Sequence, residues 1–100
     1  MTTHEHRRYV LKPEMADEFI AWYRAAVPAI RARFGFTVEW VVFDRERLAF
    51  EWLVSHPGTQ DDFRAAERDL EASQEWQEYL ARIAPSLDEL HASFVDVILP

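Results

Sequence analysis

The chain has 100 residues, of which 49% are hydrophobic and only 2 are glycine, values typical of a folded protein rather than a disordered one. Its net charge of -7 at pH 7 disfavours nucleic acid and membrane surfaces as partners, because phosphate backbones and anionic lipids are negatively charged too. The chain has no cysteine, which excludes a disulfide framework, a thiolate metal site and a cysteine nucleophile.

The N-terminal segment MTTHEHRRYV lacks the apolar stretch of a secretion signal, and no apolar run approaches the length of a membrane span. We therefore expect a cytoplasmic protein. A chain of this length buries roughly 65% of its unfolded surface, so we expect residues 1–100 to form a single domain.

The first predicted element is a strand from His4 to Leu11, which ends at Lys12-Pro13. Apolar residues then recur every three or four positions from Met15 to Phe34, the spacing of one helical face. Pro28 lies inside this pattern and predicts a bend, because proline cannot donate the intrahelical hydrogen bond. Gly35 suits the left-handed residue that follows a helix end.

The stretch from Phe36 to Val54 is predicted to form the centre of the sheet, as strands Phe36–Phe43 and Leu48–Val54 joined by the charged turn Asp44–Arg47. Phe43 is placed opposite Leu48 in this hairpin. One face of the ribbon then carries Val41, Phe43, Leu48, Phe50, Trp52 and Val54, and the other carries Phe36, Val38, Trp40, Val42, Ala49 and Leu53. Because both faces are apolar, each needs a cover.

Thr59 and Asp62 have the spacing of a helix N-cap, and the apolar face that follows is interrupted at Ser73. We therefore predict two helical segments, separate or joined at that serine. Leu87–Leu90 is assigned to a short turn, and His91–Leu99 to the last strand.

This order of elements, β-α-β-β-α-β, predicts an α+β fold of the ferredoxin-like, split-βαβ type. Right-handed crossovers give a four-stranded antiparallel sheet in the spatial order 4-1-3-2, with both helices on one face. The other face would still expose large apolar residues, which is rare in monomers. We expect a second copy to cover it, giving a barrel-like homodimer. Which ribbon face meets the partner stays open, since a slip of one residue exchanges the two.

Three stretches resemble the NIPSNAP-type proteins of the dimeric α+β barrel superfamily. Residues 5–13, EHRRYVLKP, resemble the first-strand pattern ELRxYxLKPG of that family, and Glu5, Arg7 and Tyr9 match it position by position. Pro28 followed by RFGF resembles the end of the family's first helix, and Glu75-Trp76 resembles its second-helix motif. The chain departs from the pattern after Pro13, where glutamate replaces glycine, and the hairpin turn lacks glycine.

The resemblance implies a homodimer with a pocket between the helices and the sheet. It does not fix an activity, because the wider superfamily includes cofactor-independent monooxygenases, polyketide cyclases, isomerases and haem-degrading enzymes. It therefore implies a binding site without naming the reaction.

Polar residues embedded among aromatic strands predict the catalytic candidates Glu51, His56 and Tyr9. A carboxylate inside an apolar strand can serve as a general acid or base, as Glu39 and Glu51 could, on opposite ribbon faces. His56 follows a strand at the expected mouth of a pocket, where an imidazole can transfer protons. The structural alternatives are an ion pair with Arg7 or Arg8 for a buried carboxylate, and a solvated loop position for the histidine.

The ligand-binding candidates are Arg7, as a polar anchor, and Trp22 and Trp40, as aromatic walls. Simple core packing is the alternative for both tryptophans. His4 and His6 share a strand face, but no third ligand accompanies them, so we predict neither a metal site nor a cofactor.

The first functional hypothesis is a homodimeric protein that binds a small hydrophobic or aromatic metabolite, as a cofactor-independent enzyme of the monooxygenase, cyclase or isomerase type. The alternative is a non-enzymatic interaction or scaffold module, whose acidic second helix recruits a protein partner. The sequence leaves open whether the protein is an enzyme, and it names neither substrate nor reaction.

Overall fold

A computed structural model of the chain describes all 100 residues. Its elements are β1 (Thr2–Leu11), α1 (Ala16–Arg33), β2 (Thr37–Asp44), β3 (Ala49–Pro57), α2 (Gln60–Glu71), α3 (Gln74–Ile83) and β4 (Leu87–Val95), with 3₁₀ turns at Pro13–Met15 and Ala84–Ser86. The strands form one antiparallel sheet in the spatial order β2-β3-β1-β4. The α+β ferredoxin-like fold and its predicted strand order are therefore confirmed. None of the helices has both the length and the apolarity that crossing a membrane requires.

The helices cover one face of the sheet, called the inner face below, and leave the outer face uncovered. Alternation along β1 and β3 sends Tyr9, Leu11, Phe50, Trp52 and Val54 inward. There they join a core of 16 buried residues to which α1, α2 and α3 also contribute. The core thus lies between the two central strands and the helices.

Helix α1 ends as the sequence predicts. Gly35 follows it with a φ of +86°, and the N–H of Phe36 reaches back to the carbonyl of Arg31. The helix runs through Pro28 without a break. Since Pro28 has no N–H, the carbonyl of Arg24 lacks its usual donor four residues later.

The N-cap predicted at Thr59 is confirmed. The hydroxyl of Thr59 accepts the N–H of Asp62, whose carboxylate in turn accepts the N–H of Thr59, so α2 begins with a reciprocal capping box. The hydrogen bonds that the Asp62 carboxylate accepts from the backbone N–H and the hydroxyl of Thr59 lower the pKa of this carboxyl. Ser73 caps α3 through the N–H of Trp76, which confirms the division between the two helical segments.

The pairing of β2 with β3 differs from the prediction by two residues. Phe43 lies opposite Phe50 rather than Leu48, and the connecting loop is Arg45–Leu48. The Asp44 carboxylate accepts the N–H groups of Glu46 and Arg47, and Leu48 closes the turn with a φ of +57°. Because the shift is an even number of residues, Phe50 and Phe43 still share a face, as predicted.

A bulge at Glu39 changes which face of the sheet the first side chains of β2 point to. Val38 lies opposite Val54 and packs against the core, so its predicted place on the other ribbon face is wrong. The Glu39 carboxylate accepts a hydrogen bond from Ser55 at 2.6 Å, on the face of β3 that also carries Glu51. The two glutamates therefore share the outer face, rather than lying on opposite faces.

The last strand begins four residues earlier than predicted, so the turn assigned to Leu87–Leu90 is wrong. The carbonyl of Ser86 accepts the N–H of Lys12, and Leu87 then pairs with Leu11 to start β4. β4 is an edge strand, and the polar side chains of an edge strand can face solvent. Its first residues therefore lack the apolar pattern that predicts a strand. Residues 96–100 follow the strand's end and are mostly exposed.

Candidate functional site

A group of charged and aromatic side chains lies buried between the inner face and the helices, and it is called the polar cluster below. Its members come from β1, α1, β3, α2 and α3: Glu5, Arg7, Tyr9, Tyr23, Arg31, Trp52, Glu67, Trp76 and Tyr79. All three tyrosines of the chain belong to it. Such a concentration of polar groups inside a core of this size calls for an explanation beyond packing.

The β1 part of the polar cluster follows from strand alternation, which places Glu5, Arg7 and Tyr9 on the inner face. The Arg7 guanidinium donates through Nε to the Tyr9 hydroxyl and through Nη1 to the Glu5 carboxylate, both at 2.9 Å. It also stands 5.5 Å from the centroid of the Trp52 ring. Burial raises the pKa of the Glu5 carboxyl, an effect that the adjacent Arg7 charge only partly offsets.

Arg31 supplies the second guanidinium and is 1% exposed. Its Nη1 donates to the Glu67 carboxylate at 3.2 Å, and its charge lies 5.0 to 5.2 Å from the rings of Trp76 and Trp52. Glu67 also approaches Arg7, at 3.8 Å, and so joins both arginines. Burial, and then repulsion from Arg7, lower the pKa of the Arg31 guanidinium.

Three buried donors of the polar cluster meet no acceptor: the Tyr23 hydroxyl, Nε of Arg31 and Nε1 of Trp52. They are neighbours, because the centroid of the Trp52 ring lies 5.2 Å from the Tyr23 ring centroid and 5.2 Å from Cζ of Arg31. Buried polar atoms are nearly always hydrogen-bonded, so three unpaired donors on adjacent side chains indicate a place for an acceptor. The hydroxyl of Ser86 is also unpaired, but it belongs to the turn before β4.

Tyr23 and Tyr79 are suited to donate hydrogen bonds rather than to carry charge. Burial raises the pKa of both Tyr23 and Tyr79 well above the usual range, and the neighbouring Tyr9 adds to the shift. Neutral hydroxyls beside guanidinium groups can bind an oxygen acceptor and stabilise negative charge that develops on it. No group of three or more histidine, aspartate or glutamate side chains is placed to hold a metal ion.

Two grooves flank helix α1, and each is bordered by a tyrosine of the polar cluster. The α1–hairpin groove, of about 440 Å³, runs between α1 and the β2–β3 ribbon, with Tyr23 and Phe50 in its wall. The α1–α3 groove, of about 280 Å³, has Tyr79 and Trp22 in its wall. A third cavity, of about 600 Å³, lies at the far end of the sheet beside the chain termini and borders no cluster residue.

The structure does not bring the six predicted site residues together. Arg7 and Tyr9 meet in the polar cluster. Trp22 lies in the α1–α3 groove, where the Arg82 guanidinium covers its ring at 5.3 Å. His56 lies on the helix side of the sheet as well, with its ring centroid 4.9 Å from that of Phe36.

Glu51 and Trp40 lie on the outer face, where His6 connects them. Nε2 of His6 is 3.0 Å from the Glu51 carboxylate, and its ring centroid is 5.9 Å from that of Trp40. His56 lies at the end of β3, with Nδ1 2.7 Å from the carbonyl of Pro57. Because Glu51 and Tyr9 point to opposite faces of one sheet, they cannot act on the same atom within one protomer. The predicted roles of these residues stay predictions.

Several cluster residues were missed by the sequence reasoning, although two of them carry a recognisable signal. Arg31 falls within the apolar stripe of α1, between Ile30 and Phe34, and Glu67 falls within that of α2, between Phe63 and Leu70. A charge inside an apolar helical stripe predicts a buried partner. Tyr23, Trp76 and Tyr79 carry no such signal, because aromatic residues at helical spacing are also ordinary core.

Comparison with known proteins shows this fold in proteins of low sequence identity. No protein-family model and no curated protein matches the sequence. An uncharacterized NIPSNAP domain protein from Burkholderia xenovorans superposes with a TM-score of 0.84 at 18% identity, over 100% of this chain and 99% of its own. A NIPSNAP family protein from Agrobacterium tumefaciens gives 0.86 at 15% identity, over 96% and 92%. An antibiotic biosynthesis monooxygenase gives 0.75 at 18% identity, over 99% and 100%.

These superpositions span nearly the whole of each chain, so the likeness covers the entire arrangement of helices and sheet. They confirm the resemblance predicted from the first strand and the two helical motifs. The chain therefore has the fold of NIPSNAP family proteins, a fold shared with antibiotic biosynthesis monooxygenases.

Proposed function

We propose that this chain is a small-molecule-binding protein, and that its ligand is held by the polar cluster. The observation that carries the proposal is the set of three neighbouring buried donors with no acceptor, on Tyr23, Arg31 and Trp52. Leaving such groups unpaired costs about 1–3 kcal/mol each, which a ligand that accepts their hydrogen bonds would recover. The same donors would stabilise negative charge on a ligand oxygen, as cofactor-independent monooxygenase, cyclase or isomerase chemistry requires.

The test is a thermal-shift screen of small aromatic and apolar metabolites, together with native mass spectrometry of the purified protein. We expect the wild type to retain or bind a small molecule, and Trp52→Phe to bind it more weakly, since phenylalanine keeps an aromatic ring but lacks the indole N–H. Trp22→Phe is the matched control, because Trp22 lies in the α1–α3 groove. If Trp22→Phe weakens binding and Trp52→Phe does not, the polar cluster is not the site.

We also propose that the protein is a homodimer joined through its outer face, as in a dimeric α+β barrel. Trp40 and Val42 are 42% and 53% exposed on that face, beside Leu53. The other half of the face is polar, with His4, His6, Arg8 and His91 from β1 and β4. An apolar part and a polar part together are the usual composition of a protein–protein interface.

Val42→Glu is expected to weaken the dimer at least tenfold, because the new carboxylate would be buried against the partner without a positively charged group to pair with. Light scattering on a sizing column should give about twice 11.8 kDa for the wild type and a mass falling toward one protomer for the variant. Leu80→Glu is the control, since Leu80 is 40% exposed but lies on α3, away from the outer face. A wild type that stays monomeric at tens of micromolar would contradict the proposed homodimer.

The structure weakens the argument for a scaffold function, which depended on the acidic residues of the second helix. Of the acidic residues of α2, Asp62 forms the capping box and Glu67 turns into the polar cluster, so neither is free to recruit a partner. Asp61 approaches Arg64 on the same helix. We therefore retain the small-molecule proposal, and with it the cytoplasmic location expected from the sequence.

A further inference from the structure

We infer that the ligand is a carboxylate attached to a flat apolar body, with its carboxylate at the Tyr23, Arg31 and Trp52 donors and its body in the α1–hairpin groove. The inference rests on the proposed function and adds the chemical class of the ligand to it.

The unpaired groups at the head of this site are all donors. Both nearby carboxylates are already engaged, Glu5 by Arg7 at 2.9 Å and Glu67 by Arg31 at 3.2 Å. An ammonium group would face two guanidinium charges, and the unpaired N–H groups of Arg31 and Trp52 could not accept its hydrogen bonds. A carboxylate only accepts hydrogen bonds, and its bonds to guanidinium are shorter and stronger than neutral ones.

The α1–hairpin groove fits the body of such a molecule. Its volume of about 440 Å³ lies within the range of roughly 300–1,000 Å³ that small-molecule sites occupy. Its walls include Phe43, Phe50 and Val41, which favour a flat apolar group. Arg24 is the one charged residue of the lining, and its positive sign favours an anion in an otherwise acidic protein.

Tyr23 joins the two parts of the site. Its ring lines the groove and packs against Phe50 at a centroid distance of 4.8 Å, while its unpaired hydroxyl is one of the three donors. Trp52 packs against the same Tyr23 ring at a centroid distance of 5.2 Å, so the groove and the donors share this side chain as their common wall.

The experiment is isothermal titration with three compounds that share one body: 2-naphthylacetate, 2-naphthylacetamide and 2-(2-naphthyl)ethylamine. We expect the carboxylate to bind at least tenfold more tightly than the amide, and the amine not to bind. Tyr23→Phe and Trp52→Phe should each weaken carboxylate binding several-fold and reduce its advantage over the amide. Phe94→Leu is the control, because Phe94 lines the cavity at the far end of the sheet, which borders no residue of the polar cluster, and it should leave that advantage unchanged.

Each result decides between the two proposals. Equal affinity for acid and amide, or binding of the amine, overturns the anionic class while leaving a small-molecule site in place. A carboxylate preference that survives both Tyr23→Phe and Trp52→Phe overturns the position of the head group. Failure of all three compounds overturns this inference alone if the metabolite screen finds ligands, and the proposed function as well if the screen finds none.

Discussion

Glu67→Ala is expected to destabilise the protein by about 3 kcal/mol, because it leaves a buried guanidinium without its carboxylate. Arg31 is 1% exposed, and Glu67 is the acceptor of its hydrogen bond. Removing one partner of a buried ion pair typically costs about 3–5 kcal/mol. We take the lower end of that range because the Glu67 side chain is itself 20% exposed, so water screens part of the interaction.

Urea denaturation followed by circular dichroism measures this loss as a lower midpoint at an unchanged slope. Glu71→Ala is the matched control, since Glu71 lies exposed at the end of the same helix, and it should change stability by no more than about 0.5 kcal/mol. The double variant Glu67→Ala with Arg31→Met should recover much of the loss, because it removes the unpaired charge as well. A loss below about 1 kcal/mol for Glu67→Ala would show that the rings around Arg31 hold its charge without the carboxylate.

The comparison with the double variant also bears on function. An apolar core would pack between the sheet and the helices without a buried ion pair, and such replacements are often neutral or stabilising. This chain keeps two arginines and two glutamates between the sheet and the helices. They hold hydrogen-bond donors in fixed positions, at some expense of the free energy of unfolding. Fixed donors are what a binding site needs, because they do not have to reorganise around the ligand.

Most of the fold could be predicted because the local patterns agree with one another. The helical stripe from Met15 to Phe34, the Thr59 cap, the interruption at Ser73 and the hairpin each predict a feature that the structure contains. One of the errors occurs where a single backbone residue decides the outcome. The bulge at Glu39 reverses the facing of Val38, and an insertion of this kind leaves composition and periodicity almost unchanged.

The candidate site was predicted only in part. Glu5, Arg7 and Tyr9 could be placed on one face of β1 by alternation, but alternation does not say which face the helices cover. Glu51 was therefore grouped with Tyr9, although the two side chains lie on opposite sides of the sheet. Arg31 and Glu67 join the site only through tertiary packing, since they are 36 residues apart in sequence and belong to different helices.

Tyr23→Phe is expected to stabilise the protein by about 1–2 kcal/mol while weakening ligand binding. The hydroxyl that it removes is buried, with the residue 2% exposed, and has no hydrogen-bond partner, an arrangement that costs about 1–3 kcal/mol. The ring remains and keeps its contacts with Phe50 and Trp52. Above pH 10 the stability advantage of Tyr23→Phe over the wild type should widen. The hydroxyl of unfolded Tyr23 ionises there, which stabilises the unfolded wild type, whereas burial raises the pKa of the folded hydroxyl and keeps it protonated.

Tyr9→Phe is the matched control for this prediction, and it should have the opposite sign. The Tyr9 hydroxyl accepts the Nε–H of Arg7 at 2.9 Å, so its loss leaves a buried guanidinium donor unpaired and should cost about 1–2 kcal/mol. Thermal unfolding of both variants beside the wild type measures the two signs directly. If Tyr23→Phe destabilises the protein as Tyr9→Phe does, the Tyr23 hydroxyl has a partner in the free protein and the argument for a ligand acceptor there fails. If it stabilises the protein and weakens binding, stability has been given up at this position for function.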